Sequence, residues 1–460
     1  MRAGNSAVRG SIMSYEQLAA DVVAMARKAG AQEADVMLQT STEFSVQVRK
    51  GEIETLTQSG SKGLGLRVFV DGRLGFAATS DFDIPVLERL VQSTVALASS
   101  ADQRAENGLP DAPAPQPRPE LKIYDPTVDS LPTDSKIAMA KQCEAAAYAA
   151  DPRITNTEGA GFGSGTTYTV LANSRGVAAS YHSSGCSLYC MPLAEEAGKK
   201  QVDYEYSFAR ELDRLENPEE IGRKAAMRVV RKLGARKVPT QSAPVIFDRR
   251  VASRIWSGVL AALNGDMVFK EMSFLKDKLG RKIAAESVTL IDDGTLVSGT
   301  GSAPFDGEGL PTRRNVLIEH GILKMFLYDS ETARKVGDGA ESTANARRSY
   351  NSSPSIGPFN LYLLAGNTTQ DEIIAELLNG FFVTDMMGGG VNSVTGDFSS
   401  GASGVWIEDG RLAYPVEEVT IASSMERLLN GIERIGSDLI FTSSVVSPSF
   451  RVSEMVVSGI

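Results

Sequence analysis

Strand-like runs follow one another in clusters along this sequence, and helical patterns interrupt them only occasionally. The clearest early example is Leu64–Val70, which turns at Asp71–Gly72 into Arg73–Thr79. An Asp-Gly pair between two alternating runs is a strong hairpin signal. Regular alternation of strands with helices would instead indicate a doubly wound parallel sheet. The clustering therefore predicts an α+β fold whose sheets are mixed or antiparallel.

Two changes in composition guide the division of the 460 residues: a Pro-rich linker and a shift to strand-rich sequence in the second half. Residues 106–120 contain five prolines, and such a segment is extended because proline fixes φ and cannot donate to a strand ladder. In the second half strand-like runs predominate, among them Lys282–Ile291. We therefore expect a disordered leader at 1–13, an N-terminal α+β domain at 14–237 that includes the Pro-rich linker, and a C-terminal strand-rich domain with short helices at 238–460.

The charge balance and the cysteine content exclude several functional classes. Asp and Glu total 57 against 47 Lys and Arg, for a formal net charge of -10. An acidic chain without a basic run does not favour binding to the phosphate backbone of nucleic acids. No apolar stretch approaches the roughly 18 residues of a membrane span. Three scattered cysteines argue against a disulfide framework and for a reducing compartment. We expect a cytoplasmic protein with no nucleic-acid or membrane partner.

His182, Cys186 and Cys190 form an evenly spaced triplet of residues that can bind metal ions. On a helix these steps would place the side chains about 6 Å apart on one face. The surrounding residues favour a strand, in which each step spans about 13 Å, too far for zinc ligands at about 2.0–2.3 Å from the ion. We interpret the three as strand residues, with a metal site as the alternative. His320, which precedes Gly321, is interpreted as a turn residue rather than a catalytic one.

Motifs for other hydrolytic or nucleotide chemistry are absent. Ser164 lies in Phe-Gly-Ser-Gly, with Phe where the serine-hydrolase elbow G-x-S-x-G requires its first glycine. No G-x-x-x-x-G-K-[ST] loop occurs, so phosphate chemistry of that type is unsupported. The carboxylates at Asp292–Asp293 and Asp306–Glu308 lie beside glycines, a context typical of turns. We assign no catalytic residue.

A Gly-rich stretch begins after Met387. Glycine has no side chain, so a peptide backbone could approach such a stretch closely. The alternative is a set of tight turns that connect short strands. The candidate peptide-binding residues are Gly388, Gly389, Gly390 and Asp397.

Two long segments resemble the PmbA/TldD family of DNA gyrase modulators and peptide-processing proteases. They are GSAPFDGEGLPTRRNVLIEHGIL at 301–323 and FFVTDMMGGGVNSVTGDFSSGASGVWIEDGRLAYPV at 381–416. Shorter matching stretches are ESVTLIDDGTL at 286–296 and the run from VRKGEIETL to FAATSD at 48–81. The resemblance therefore covers nearly the whole chain and implies a two-domain α+β fold.

The resemblance also implies a TldD/TldE heterodimer in which the TldD subunit binds zinc through HExxxH on a helix and a late Cys. The matching helix here reads RRVASRIWSGVLAALNGD. Counting back from its closing LNGD, which resembles the LEGD of TldD, Trp256 and Ser257 occupy the HE positions and Ala261 the second His. No Cys follows Cys190. Indole and methyl groups offer no lone pair suited to zinc, so the resemblance is to the metal-free PmbA (TldE) subunit.

We therefore expect a metal-free partner subunit that acts on unfolded peptides together with a TldD-like, zinc-bearing chain. This chain itself is expected to hold no cofactor. Two alternatives stay open: an independent metallopeptidase or hydrolase with a non-standard site, and a homodimeric peptide-binding scaffold.

Overall fold

The computed structural model describes residues 14–111 and 120–459. The expected leader at 1–13 and the centre of the Pro-rich linker, 112–119, lie outside these residues. The fold is α+β, as the clustering of strand patterns predicts. An antiparallel sheet with helices forms the N-terminal part, and a strand-rich assembly with short helices follows it.

The N-terminal part is built on one large sheet. Its strand order is β3-β2-β1-β4-β5-β6, β7 also pairs with β5, and all pairs are antiparallel. The elements in chain order are α1 Tyr15–Lys28, β1 Glu33–Arg49, β2 Glu52–Val70, β3 Arg73–Thr79, α2 Ile84–Ser100, α3 Thr127–Ser130, α4 Thr133–Ala150, β4 Ile154–Asn173, β5 Ala178–Glu196, β6 Lys199–Val202, β7 Glu205–Ala209 and α5 Pro218–Arg231.

The expected hairpin at Asp71–Gly72 is confirmed. Val70 pairs with Arg73 across a two-residue turn, and Asp71 and Gly72 have φ values of 48° and 71°. A two-residue turn with positive φ at both positions matches the twist of the flanking strands. The local sequence therefore sets the register of β2 and β3.

The helices of this part cover one face of the sheet in two separate groups. Side chains alternate between the faces of a strand, and the even-numbered residues of β1 face the helices. Val36 and Leu38 pack in the cluster under α1 and α2, whereas Val46 and Val48 pack in the cluster under α4 and α5. The middle of the long strands lies between these two apolar clusters.

The C-terminal part contains a closed barrel. Strands β17-β16-β15-β8-β20 follow one another, β17 pairs again with β20, and β18 extends the sheet beyond β20. The elements are β8 Gln241–Phe247, α6 Arg249–Leu263, α7 Gly265–Phe269, β9 Leu290–Asp293, β10 Arg314–Glu319, β11 Ile322–Leu323, α8 Ser330–Val336, β12 Ala346–Arg347, β13 Ser355–Ile356, β14 Leu361–Leu363, α9 Gln370–Ala375, β15 Asn379–Val391, β16 Asp397–Glu408, β17 Arg411–Ser424, α10 Met425–Asn430, β18 Ile432–Ile435, β19 Val445–Val446 and β20 Phe450–Ser458.

The two parts touch through the sheet face opposite the helices. Phe305 of the C-terminal part packs on Met37 of β1 and Leu171 of β4. Gly65 of β2 allows close approach, because a Cβ there would lie 1.8 Å from the backbone oxygen of Tyr350. None of the helices within the described ranges has the length and apolar character to cross a membrane.

Candidate functional site

Helix α6 follows strand β8 and forms as its sequence predicts. The Asp248 side chain accepts a hydrogen bond from the backbone N–H of Arg250 at 3.0 Å, which satisfies one of the free amides of the first turn. An apolar stripe at helical spacing faces the core. Its buried members include Val251, Ile255, Val259 and Leu263.

The three positions that match the zinc motif of TldD have different environments. Trp256 is fully buried, its Nε1 donates to Ser447 Oγ at 3.2 Å, and its ring lies 6.1 Å from that of Phe450. Ser257 and Ala261 are exposed. The Ser257 hydroxyl donates to the Ser253 backbone oxygen within the helix at 3.0 Å.

These three positions do not fit a zinc ion. Position 256 faces the core and position 261 faces solvent, and neither indole nor methyl is a zinc donor. Within residues 14–111 and 120–459, no group of three or more His, Cys, Asp or Glu side chains could hold a metal ion.

The Gly-rich stretch lies inside strand β15 rather than in a turn between short strands. The register with β16 shifts between Met387 and Gly390, which makes a β-bulge. Gly388 and Gly389 have φ values of 60° and 58°, in the left-handed region that glycine adopts without cost. Ser400 Oγ donates to the Gly388 backbone oxygen at 2.9 Å and ties the bulge to β16.

The other edge of β15 is free beside helix α6. Strand β8 pairs with β15 only at Phe381–Val383, and no other described strand pairs with this edge. Arg254 of α6 donates from Nη1 to the Met386 backbone oxygen. Gly258 of α6 contacts Val391, since a Cβ at position 258 would lie 2.4 Å from its Cβ. Helix α6 therefore lies against an edge of β15 with which no described strand other than β8 pairs.

Asp397 does not share this free edge with the three glycines. It begins β16, which pairs with the opposite edge of β15. Its carboxylate accepts a hydrogen bond from Thr395 Oγ1 at 2.7 Å, so it closes the turn that precedes β16. The structure brings Gly388, Gly389 and Gly390 together and places Asp397 apart from the edge that they border.

The evenly spaced His and Cys residues lie on a strand, as expected. His182, Cys186 and Cys190 belong to β5. The two cysteines are buried, whereas His182 is exposed and stacks on Tyr168 at 4.1 Å between ring centroids. His320 lies in the turn between β10 and β11 with φ of 48°, which confirms the turn interpretation.

The carboxylates that lie beside glycines are buried. Asp292 belongs to β9 and is fully buried, and burial raises its pKa to about 6 although Asn345 and Phe359 donate hydrogen bonds to it. Burial also raises the pKa values of Asp306 and Glu308, which repel each other. Gly307 and Glu308 lie in a turn, as their glycine context predicts, whereas Asp292 lies in a strand. The burial of these carboxylates was not predicted, because distant loops form their surroundings.

Three family models together match most of the chain. The PmbA/TldA metallopeptidase domain 1 matches residues 34–98, the central domain 126–233 and the C-terminal domain 240–459. Metalloprotease PmbA of Escherichia coli O157:H7 is 34% identical over 428 residues, which are 93% of this chain and 92% of that protein. This chain belongs to the PmbA/TldD family.

Solved structures of PmbA/TldD relatives share the fold. A proposed modulator of DNA gyrase from Bacteroides thetaiotaomicron superposes with a TM-score of 0.90 at 31% identity, covering 98% of this chain and all of that one. TldE from Thermococcus kodakarensis superposes with a TM-score of 0.88 at 22% identity over 96% of this chain and all of that one. At that identity the second likeness shows the fold alone.

Haemophilus influenzae encodes two different relatives of this PmbA/TldD chain. Its metalloprotease PmbA homolog is 34% identical over 438 residues, 95% of this chain and 94% of that protein. Its metalloprotease TldD homolog is 26% identical over 425 residues, 87% of this chain and 85% of that protein. One organism thus carries both types of chain.

Proposed function

We propose that this chain is the metal-free, TldE-like subunit of a TldD/TldE-type metalloprotease that degrades or processes unfolded peptides. Zinc is held by a TldD-like partner. The observation that carries the proposal is Trp256: a fully buried indole stands at the position of the first zinc-binding histidine, and the methyl group of Ala261 stands at the position of the second. Within residues 14–111 and 120–459, no cluster of His, Cys, Asp or Glu side chains takes their place.

The relatives and the cysteines support the assembly and its compartment. The PmbA and TldD homologs of Haemophilus influenzae both match this chain, which supports pairing between the two types. Cys143, Cys186 and Cys190 are all free thiols, in keeping with a reducing cytoplasm.

The contribution of this chain to the reaction is to bind and orient the peptide. An extended peptide adds as a strand to an open sheet edge and is held by backbone hydrogen bonds. Beyond Val383 no described strand pairs with this edge of β15, and the glycines at 388–390 leave it without bulky side chains. Backbone recognition of this kind selects for unfolded substrates and tolerates many sequences.

The test is to compare the purified chain alone with its mixture with a TldD-like chain that retains HExxxH. We expect no zinc to remain in the chain alone after dialysis, and peptidase activity to appear only in the mixture and to be lost with a chelator. The matched control is the same mixture with the first His of HExxxH replaced by Ala in the partner. Stoichiometric zinc in the chain alone, or chelator-insensitive cleavage by it at the rate of the mixture, would refute the proposal. Size measurement of the chain alone and mixed distinguishes a heterodimer from a homodimer.

A further inference from the structure

Five rings form a continuous row across the N-terminal sheet, far along the chain from the edge of β15. Neighbouring ring centroids are 6.0, 6.4, 4.1 and 5.1 Å apart. We call this set the aromatic row, and in spatial order it consists of Phe82, Tyr15, Tyr168, His182 and Tyr124.

The aromatic row occupies the gap between the two groups of helices. Tyr168 and His182 are partners on β4 and β5 and lie between the cluster under α1 and α2 and the cluster under α4 and α5. Tyr15 comes from the first turn of α1, and Tyr124 precedes α3. Tyr15 and Tyr124 are 38% and 41% exposed. Phe82 and Tyr168 are half-buried and His182 is exposed, so the row presents adjoining aromatic surface to solvent, which is typical of interaction sites.

Hydrogen-bond donors are available at two places in the row. Among the described residues, the hydroxyl groups of Tyr15 and Tyr124 have no hydrogen-bond partner. The hydroxyl of Tyr168 donates to Glu16, and this hydrogen bond is the main reason why the pKa of Glu16 is lowered. The row therefore combines ring faces with free phenolic donors and a fixed carboxylate.

The rim of the row is acidic. Asp81 and Asp83 flank Phe82 and are exposed, and Asp129 accepts hydrogen bonds from Thr42 and Thr166 at 3.1 and 2.8 Å. Lys62 places its Nζ 4.7 Å from the centre of the Phe82 ring, and Lys136 interacts with the charge of Asp129. Together with Glu16, four carboxylates therefore lie at or beside the row against these two ammonium groups.

We propose that the aromatic row is a docking site for a proline-rich segment of another polypeptide that carries Arg or Lys. A polyproline II helix has no internal hydrogen bonds, so its carbonyl oxygens are free to accept from the hydroxyls of Tyr15 and Tyr124. Its proline rings pack against aromatic side chains, and little entropy is lost because the helix is already ordered. The acidic rim selects for the basic residue. This function is separate from the peptidase role proposed above.

Nucleic acid fits this surface less well. Single strands also stack on aromatic side chains, but they require a cationic groove for the phosphates. Glu16, Asp81, Asp83 and Asp129 would repel them, and the whole chain carries a net charge of -10. A contact with a partner subunit is a further use of exposed rings, and the experiment separates it from peptide docking.

The test is calorimetric titration of the full chain with a synthetic blocked decapeptide that contains five prolines and one arginine. Tyr15→Ala and Tyr124→Ala should each weaken binding by at least about tenfold, as expected for exposed aromatic contacts. Leu97→Ala is the matched control and should leave affinity unchanged. It removes a 55% exposed apolar side chain from helix α2, which packs on the same sheet outside the row. A peptide with Glu in place of Arg should bind more weakly, and one with Ala in place of every Pro should not bind.

Two results would overturn the proposal. The first is equal binding of the peptide in which Ala replaces every Pro, since recognition would then not depend on polyproline II structure. A variant with Gly and Ser at 112–119 serves as a second target, because this chain has its own Pro-rich segment there. Binding of the probe by that variant alone supports the chemistry of the row and identifies the segment as a competitor. If neither the parent chain nor the variant at 112–119 binds the peptide, the proposal is overturned. If Tyr15→Ala in addition dissociates a complex with a TldD-like chain, the row is a contact between subunits.

Discussion

The guanidinium group of Arg348 and the carboxylate of Asp35 meet at 2.9 Å, with side chains that are 0% and 1% exposed. They join the two parts of the molecule, because Asp35 lies on β1 and Arg348 follows β12. Arg67, the neighbour of Asp35 on β2, is its second partner at 2.5 Å. Burial alone raises the pKa of Asp35, but the two guanidinium groups hold it below its usual range. A buried charge network therefore fixes how the C-terminal part docks on the sheet.

Removal of one member of this network should be costly. We expect Arg348→Ala to lower the free energy of unfolding by about 3–5 kcal/mol, because it leaves a buried carboxylate with one base fewer. Urea denaturation measures the change. Arg434→Ala is the control: it breaks an ion pair with Glu376 on the surface, where the arginine is 46% exposed, and should cost no more than about 1 kcal/mol. Similar losses in both variants would contradict the role of burial.

Asp292 should make stability depend on pH in the opposite direction to Asp35. Its pKa of about 6 exceeds that of an unfolded Asp, about 3.9. Between these values the folded protein binds more protons than the unfolded chain, so the free energy of unfolding falls as pH rises through this window. Asp292→Asn should remove this part of the slope, at most about 3 kcal/mol. Urea denaturation at pH 4.5 and pH 7 tests this; a stability difference between variant and parent that is the same at both pH values would contradict it.

Local sequence signals predicted the elements whose formation depends on neighbouring residues. The hairpin at Asp71–Gly72 and the apolar stripe of α6 both formed as expected. The strand expected at Lys282–Ile291 did not: only Leu290–Asp293 is a strand. Local patterns also could not predict that the barrel closes. Its strands β8 and β20 pair across about 200 residues of sequence. Pairing partners and burial are set by such long-range contacts.

The site was predictable to a similar extent. The positions at Trp256, Ser257 and Ala261 could be located from the motif alone, and the Gly-rich stretch could be proposed from composition. The bulge that keeps Gly388–Gly390 inside β15 and the contact of Arg254 with Met386 could not. Both depend on how α6 lies against β15, which no pattern within either element specifies.

Two histidines should not restore a zinc site in α6. In the double variant Trp256→His, Ala261→His, we expect no zinc above the parent level after dialysis, measured by elemental analysis. The side chain at position 256 lies in the core and that at position 261 lies in solvent. The late Cys of the motif also has no counterpart, since no Cys follows Cys190, so the third ligand is still missing. The same variant should unfold more easily by about 3 kcal/mol or more, because it removes a buried indole. Stoichiometric zinc in this variant would show that α6 rearranges locally.

Gly388 and Gly389 should differ in their tolerance of a side chain. Both have φ near 60°, a conformation that Asn adopts more readily than other non-Gly residues. A Cβ at position 389 would lie 2.1 Å from the Ser399 backbone oxygen. A Cβ at position 388 would have no described atom within 4 Å. Gly389→Asn should therefore lower the free energy of unfolding by about 2 kcal/mol or more, and Gly388→Asn by less than about 1 kcal/mol. Equal effects would mean that the bulge is not rigid.

A charge on the free edge of β15 should impair peptide turnover without unfolding the protein. Met387 is 60% exposed beside this edge, so Met387→Glu leaves the core intact. If a peptide adds to the edge, it covers position 387, and the carboxylate must then lose its water. We expect turnover of long peptides by the assembled complex to fall by about tenfold or more, with an unchanged melting temperature. Val394→Glu, the same charge change at a 45% exposed residue in the turn of the same hairpin, is the matched control and should leave turnover near the parent rate. Equal losses in both variants would indicate a general charge effect on the complex, and unchanged turnover in both would exclude the edge of β15 as the peptide-binding element.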